Sequence, residues 1–147
     1  MVMTRSQMMQ MIDTARIEAA IRHAEQRTSG EICVSVSRFF WGDVRNAAEK
    51  AFVRLRISKT VRRNGVLFFV VPSRRKFVVL GDRGIHDKVG PQFWNKVVHG
   101  MAEHFRKDDF TGGIVLSIQH VGAQLVEHFP IDTATDLNEL PDKVDLS

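Results

Sequence analysis

The chain has 147 residues, 44% of them hydrophobic and 26% charged, which suits one soluble domain with a self-sufficient core. A single cysteine, Cys33, excludes an intrachain disulfide, and no stretch reaches the roughly 20 apolar residues that cross a bilayer. The formal charge of +4 divides into a basic body and an acidic end: from Ile131 onward, Asp132, Asp136, Glu139, Asp142 and Asp145 face only Lys143, whereas Lys50 to Lys76 contains nine basic residues and no acid.

In chain order, the Met-rich start lacks the apolar core and cleavage site of a signal peptide, so cytoplasmic residence is the default expectation. Ile17, Ala20, Ile21 and Ala24 recur at helical spacing, which predicts one helix from about Ser6 to Arg27, closed by Gly30. EICVSVSR, from Glu31 to Arg38, alternates as a strand does. The bulky loop Phe39-Phe40-Trp41-Gly42 follows, expected to fold back over the core; if exposed, it would anchor a partner. Asp43 is placed to cap a helix from about Val44 to Ile57.

VLFFVV, from Val66 to Val71, reads as a strand covered on both faces, and Lys76 to Leu80 as its antiparallel return. A helix joins the first two strands, which implies a right-handed parallel crossover. Pro91 is expected to open a third helix carrying Phe93, Trp94, Val97, Val98, Met101 and Phe105. Asp108 or Asp109 begins a fourth helix, which Pro130 stops. The order α-β-α-β-β-α-α predicts a three-layer α/β/α sandwich with a small mixed sheet over residues 1–130. Residues 131–147 then read as an acidic, flexible or loosely docked tail.

An ordered set of residues carries a family resemblance. It comprises Ile21 in the first helix, Gly30-Glu31-Ile32-Cys33-Val34, Arg63-Asn64-Gly65-Val66-Leu67, Leu80-Gly81-Asp82-Arg83-Gly84-Ile85, Phe93-Trp94 and Phe105. From about Ile17 to Pro130 the chain resembles TPM domains. The resemblance implies an α/β/α sandwich linked to membrane-protein maintenance, with acid-phosphatase activity and calcium binding suggested for some members. By position it points to Asp82 first, then Glu31 and Asn64.

The predicted topology sets Asp82 beside Glu31 and Asn64 at one sheet end. Asp43 lies roughly 17–20 Å away at the other, so one ion cannot use both. Asp82, between Gly81 and Gly84, is a turn residue paired with Arg62 or Arg63 on the first reading, and a calcium-type cation seat with Glu31 and Asn64 on the second. No Cys-x5-Arg loop, Asp-x-Asp nucleophile or Walker A sequence is present, so a phosphatase would need an unusual metal-dependent site at the Asp82 end, and no catalytic residue is assigned. The histidines do not share a ligand spacing: His99 and His104 are five apart and fall on different helix faces. Nucleic acid is disfavoured as a partner, because the basic stretch is split between the sheet ends and its aromatics read as buried. The functional expectation is a binding or assembly module acting on a protein or a membrane-associated complex. The alternative is a metal-dependent, acid-phosphatase-like hydrolase.

Overall fold

The computed structural model describes residues 3–131, 140 and 142–147. The elements are α1 (Arg5–Met11), α2 (Thr14–Glu25), β1 (Glu31–Val36), α3 (Val44–Arg54), β2 (Gly65–Val71), β3 (Lys76–Gly81), α4 (Arg83–Arg106), α5 (Phe110–His128) and β4 (Asp145–Leu146). Short 3-10 turns at Ile57–Lys59 and Pro72–Arg74 bracket β2.

The sheet order is β3-β2-β1-β4. β1 and β2 run parallel with Glu31 opposite Gly65 and Val36 opposite Val70; β3 returns antiparallel with Val66 opposite Gly81. Every residue of β1 and β2 is buried, as a strand covered on both faces must be. Their side chains alternate between two cores. Ile32, Val34, Val36, Val66, Phe68 and Val70 meet α1, α2, α4 and α5, whereas Cys33, Leu67, Phe69 and Val71 meet α3. The result is the three-layer sandwich, with its helices divided four to one. Full burial of a side chain such as Phe68 or Phe105 stabilises the larger core by about 1.5–3 kcal/mol.

The expected first helix is two. Ile12 adopts an extended conformation and Asp13 caps α2, its carboxylate accepting from Arg16 N at 3.1 Å. The Asp13 amide donates to Thr111 Oγ1 at 3.1 Å, which ties the break to α5. Met8 and Ile12 are both buried, so the apolar spacing runs through the break without a continuous helix. Pro91 opens a helical segment as expected, but another helical segment, from Arg83, precedes it and joins it across a kink. α4 starts at Arg83, bends at Gly90 (φ 75) and resumes at Pro91. Gly90 supplies the left-handed backbone and Pro91 the fixed φ of a new first turn. Asp43 caps α3 and Asp109 caps α5, as their positions predict.

The last described residues of the chain reach the sheet. Residues 132–139 and 141 lie outside the described residues, but β4 joins the sheet parallel to β1, with Asp145 opposite Ser35 and Leu146 opposite Val36. Arg54 grips Asp145 with two nitrogens, at 2.7 and 3.2 Å, and Ser35 Oγ donates to the same carboxylate at 2.7 Å. These bonds, Arg54's first, hold the Asp145 carboxyl below its usual range. Val144 N donates to Glu18 Oε2 at 3.0 Å, and Ser147 N to Val36 O at 2.9 Å.

Glu25 caps the start of that edge. Its Oε2 accepts from Ile32 N at 2.9 Å. Burial, and then a hydrogen bond with Asp142, push its carboxyl from the ordinary 4.5 up to about 9. A raised carboxyl contributes stability that is complete below pH 4.5 and lost as pH climbs through about 9. Asp108, Asp109 and Asp145 are lowered from 3.8 and act below this window, and the raised Cys33 thiol acts above it. The urea midpoint is therefore expected to fall between about pH 5 and pH 9, and Glu25→Gln to flatten that slope. An equal slope in both proteins would place the titration elsewhere.

Candidate functional site

The hairpin reverses direction and brings Glu31, Asn64 and Asp82 to one end of the sheet, where all three are buried. Asp82 N donates to Gly65 O at 2.9 Å, and Glu31 N to Asn64 O at 3.4 Å. Arg63 Nε and Nη2 donate to the two Asp82 oxygens at 2.6 and 2.9 Å, and Arg83 N donates to Asp82 Oδ1 at 2.8 Å. Both oxygens of the carboxylate are thus engaged at the start of α4. The Asn64 amide nitrogen donates to Ser29 Oγ at 3.3 Å, and Arg62 Nη1 donates to the same hydroxyl at 2.9 Å.

The backbone enforces this arrangement. Arg63 sits in the left-handed region (φ 52), a strained position for a residue with a Cβ. Gly84 N donates to Arg63 O at 2.8 Å. A Cβ on Gly84 would lie 2.4 Å from Arg62 O and 2.5 Å from Arg63 O, so glycine is needed there for close approach and not for its torsion angle. A calcium-type ion seeks several oxygen ligands, and here the central carboxylate faces a guanidinium. The donors do not fit such an ion without moving Arg63. Among the described residues no group of three or more His, Cys, Asp or Glu is placed to hold a metal. Asp87 lies exposed on α4, outside the buried trio.

Other titratable groups are also engaged. Cys33 is buried, and burial first, then the field of Glu25, push its thiol up to about 12, so it is a protonated core residue. His104 Nδ1 lies 2.9 Å from Asp109 Oδ2 at the α4–α5 junction, where Asp109 also accepts from Gly112 N.

The opposite end of the sheet, at the C-terminal ends of β1 and β2, differs in kind. The Phe39-Phe40-Trp41 loop was expected over the core; instead Trp41 is 83% exposed and Phe39 37% exposed, their rings meeting edge-to-face at 5.9 Å. Phe40 is half-buried beneath Arg74, whose guanidinium carbon lies 5.1 Å from the ring centroid. The stem of the loop is pinned: Ser37 N donates to Val70 O, Arg38 N to Ser147 O, Ser37 Oγ to Phe39 O and Ser73 Oγ to Arg38 O, all at 2.8–3.0 Å. A cavity of about 300 Å³ opens between Ser37, Phe39, Trp41, Lys50, Arg54 and Ser147. A second hollow of about 560 Å³ runs from Trp41 along the outer face of α3 past Lys50 to Val53. Aromatic content alone does not distinguish an exposed loop from a packed one, so the sequence held no signal for this exposure.

Two substitutions test the Asp82 end. Asp82→Asn keeps the shape but removes the charge that Arg63 grips, and is expected to lower stability by about 1–3 kcal/mol in a urea titration. Gly84→Ala should also destabilise the fold, and an unchanged melting temperature would show that the Arg62–Arg63 turn yields freely.

A sequence profile of the TPM domain matches residues 2–124. The chain is 33% identical to the BA42 protein of the psychrophilic bacterium Bizionia argentinensis, whose NMR structure superposes with a TM-score of 0.85, covering 92% of this chain and 95% of that one. The N-terminal domain of a P. gingivalis protein (17% identity, TM-score 0.66, 83% of each chain) shares the fold. So does that of the cg2496 protein from Corynebacterium glutamicum (16% identity, TM-score 0.60, 76% of this chain and 70% of that one). Comparison with curated proteins gives no match. The extent of the profile match and the BA42 identity agree with the ordered residues of the sequence: the chain belongs to the TPM domain family.

Proposed function

We propose that this TPM domain is a non-catalytic binding module that engages a protein partner, or the protein face of a membrane-associated complex, through the Phe39–Trp41 loop. The observation that carries this reading is an 83% exposed Trp41 on a loop whose stem, Ser37 to Phe39, is already fixed by hydrogen bonds. A stem ordered before binding does not lose that entropy on association, so the indole's contact area counts toward affinity. Tryptophan and arginine are the side chains most often found to dominate interfaces, and here Lys50, Arg54 and Arg74 surround the aromatics. The C-terminal ends of parallel strands are also where open α/β sheets present their binding loops.

The hydrolase reading, with a calcium-type ion at Asp82, Glu31 and Asn64, draws no comparable support, because Arg63 and the Arg83 amide occupy the oxygens it requires. Turnover of a chromogenic phosphate monoester, with and without added calcium or magnesium, is expected to stay at background for the wild type. Metal-dependent turnover abolished by Asp82→Asn would restore that reading.

Photo-crosslinking in an extract from the source cell tests the binding face. Trp41→Ala should leave stability within about 0.5 kcal/mol of the wild type. The same substitution should reduce capture of the wild-type partner by tenfold or more, whereas Val98→Ser, which alters an exposed apolar residue on α4, should not. Equal capture by wild type and Trp41→Ala would overturn the proposal.

A further inference from the structure

β4 occupies a small part of the β1 edge, and the groove around it has defined ends. Towards the start of β1, Glu25 accepts from the Ile32 amide at 2.9 Å. Towards the end of β1, the groove opens into the cavity lined by Phe39, Phe40 and Trp41. Between these limits, among the described residues, the edge pairs in register with β4 at Ser35 and Val36.

The groove reads its occupant by alternation. Val144 and Leu146 point to the larger core, while Asp145 points the other way, toward α3. Arg54 Nη1 and Nη2 and the fully buried Ser35 hydroxyl form a three-donor receptor for its carboxylate. The backbone adds Ser147 N to Val36 O at 2.9 Å and Arg38 N to Ser147 O at 3.0 Å. The chemistry specified is an extended segment, parallel to β1, of the form apolar–acidic–apolar–small.

We infer that this edge is a peptide-binding groove that the chain's own β4 occupies in cis, and that the partner's docking element is an extended acidic segment of the same pattern. The partner segment displaces β4 by strand addition. Opposite charge at Arg54 selects the acidic residue, and alternation sets the register. Ser147 lines the aromatic cavity, so a partner segment continuing past the position of Ser147 enters it. The inference rests on the reading of the Phe39–Trp41 end as a binding face, and it adds the partner's chemistry and a self-masking strand.

The experiment is fluorescence anisotropy with a dye-labelled synthetic peptide carrying the sequence of residues 140–147, LPDKVDLS, titrated with the full chain. Two variants loosen β4 independently: Asp145→Ala, and Leu146→Ser, which keeps the carboxylate. Each is expected to bind the peptide at least tenfold more tightly than the wild type does. Adding Arg54→Ala to either variant, or changing the peptide residue equivalent to Asp145 to asparagine, should remove that gain. Equal binding by wild type and both variants, or binding indifferent to Arg54, would overturn the inference. If Trp41→Ala loses partner capture while peptide binding ignores Arg54, the binding face stands and the groove falls. If peptide binding requires Arg54 while Trp41→Ala leaves capture intact, the groove stands and the aromatic-loop reading falls.

Discussion

Six residues of β1 lie in parallel register against β2, and both strands are covered on both faces. That pairing determines which side chains reach each core, because a slip of one residue would send Ile32 and Val34 to α3 and Cys33 to the four-helix side. It also determines what each end of the sheet can do. Glu31 opposite Gly65 puts the starts of both strands together, and β3 delivers Asp82 to that end. The aromatic loop and the Pro72–Arg74 turn are left together at the other.

The two ends make different use of charge. At the Asp82 end, a buried carboxylate is answered by a guanidinium and an amide, which secures the turn and the first residues of α4. At the aromatic end, cations and rings face outward on a loop whose stem is fixed from below. The former resembles the interior of a stable fold, the latter an open surface of rings and cations. Strong ligation between partners already present is what distinguishes a structural carboxylate from one awaiting a ligand.

Much of this was legible in the residues themselves. The period-two pattern of EICVSVSR, the continuous VLFFVV run and the N-cap aspartates Asp43 and Asp109 each specify their element locally. The hairpin direction followed from chain connectivity, and with it the meeting of Glu31, Asn64 and Asp82. What stayed hidden depends on distant contacts. The break before Asp13 is fixed partly by Thr111, 98 residues away, and helical spacing from Met8 to Ile12 masks it. β4 offers only Val144 and Leu146 as a pattern, too short to read as a strand until Ser35 and Arg54 supply its partners. The exposure of Trp41 is set by how the assembled layers surround the loop, which its own residues do not encode.

The lone thiol at the centre of the sheet has one more consequence. Cys33 is shielded by its neighbours and its proton is held until about pH 12, so an alkylating reagent meets almost no thiolate in the native protein. Modification must wait for the strand to come away from α3. With only one cysteine in the chain, the rate of that single chemical event is a built-in clock for opening of the smaller core, readable by mass without any added label.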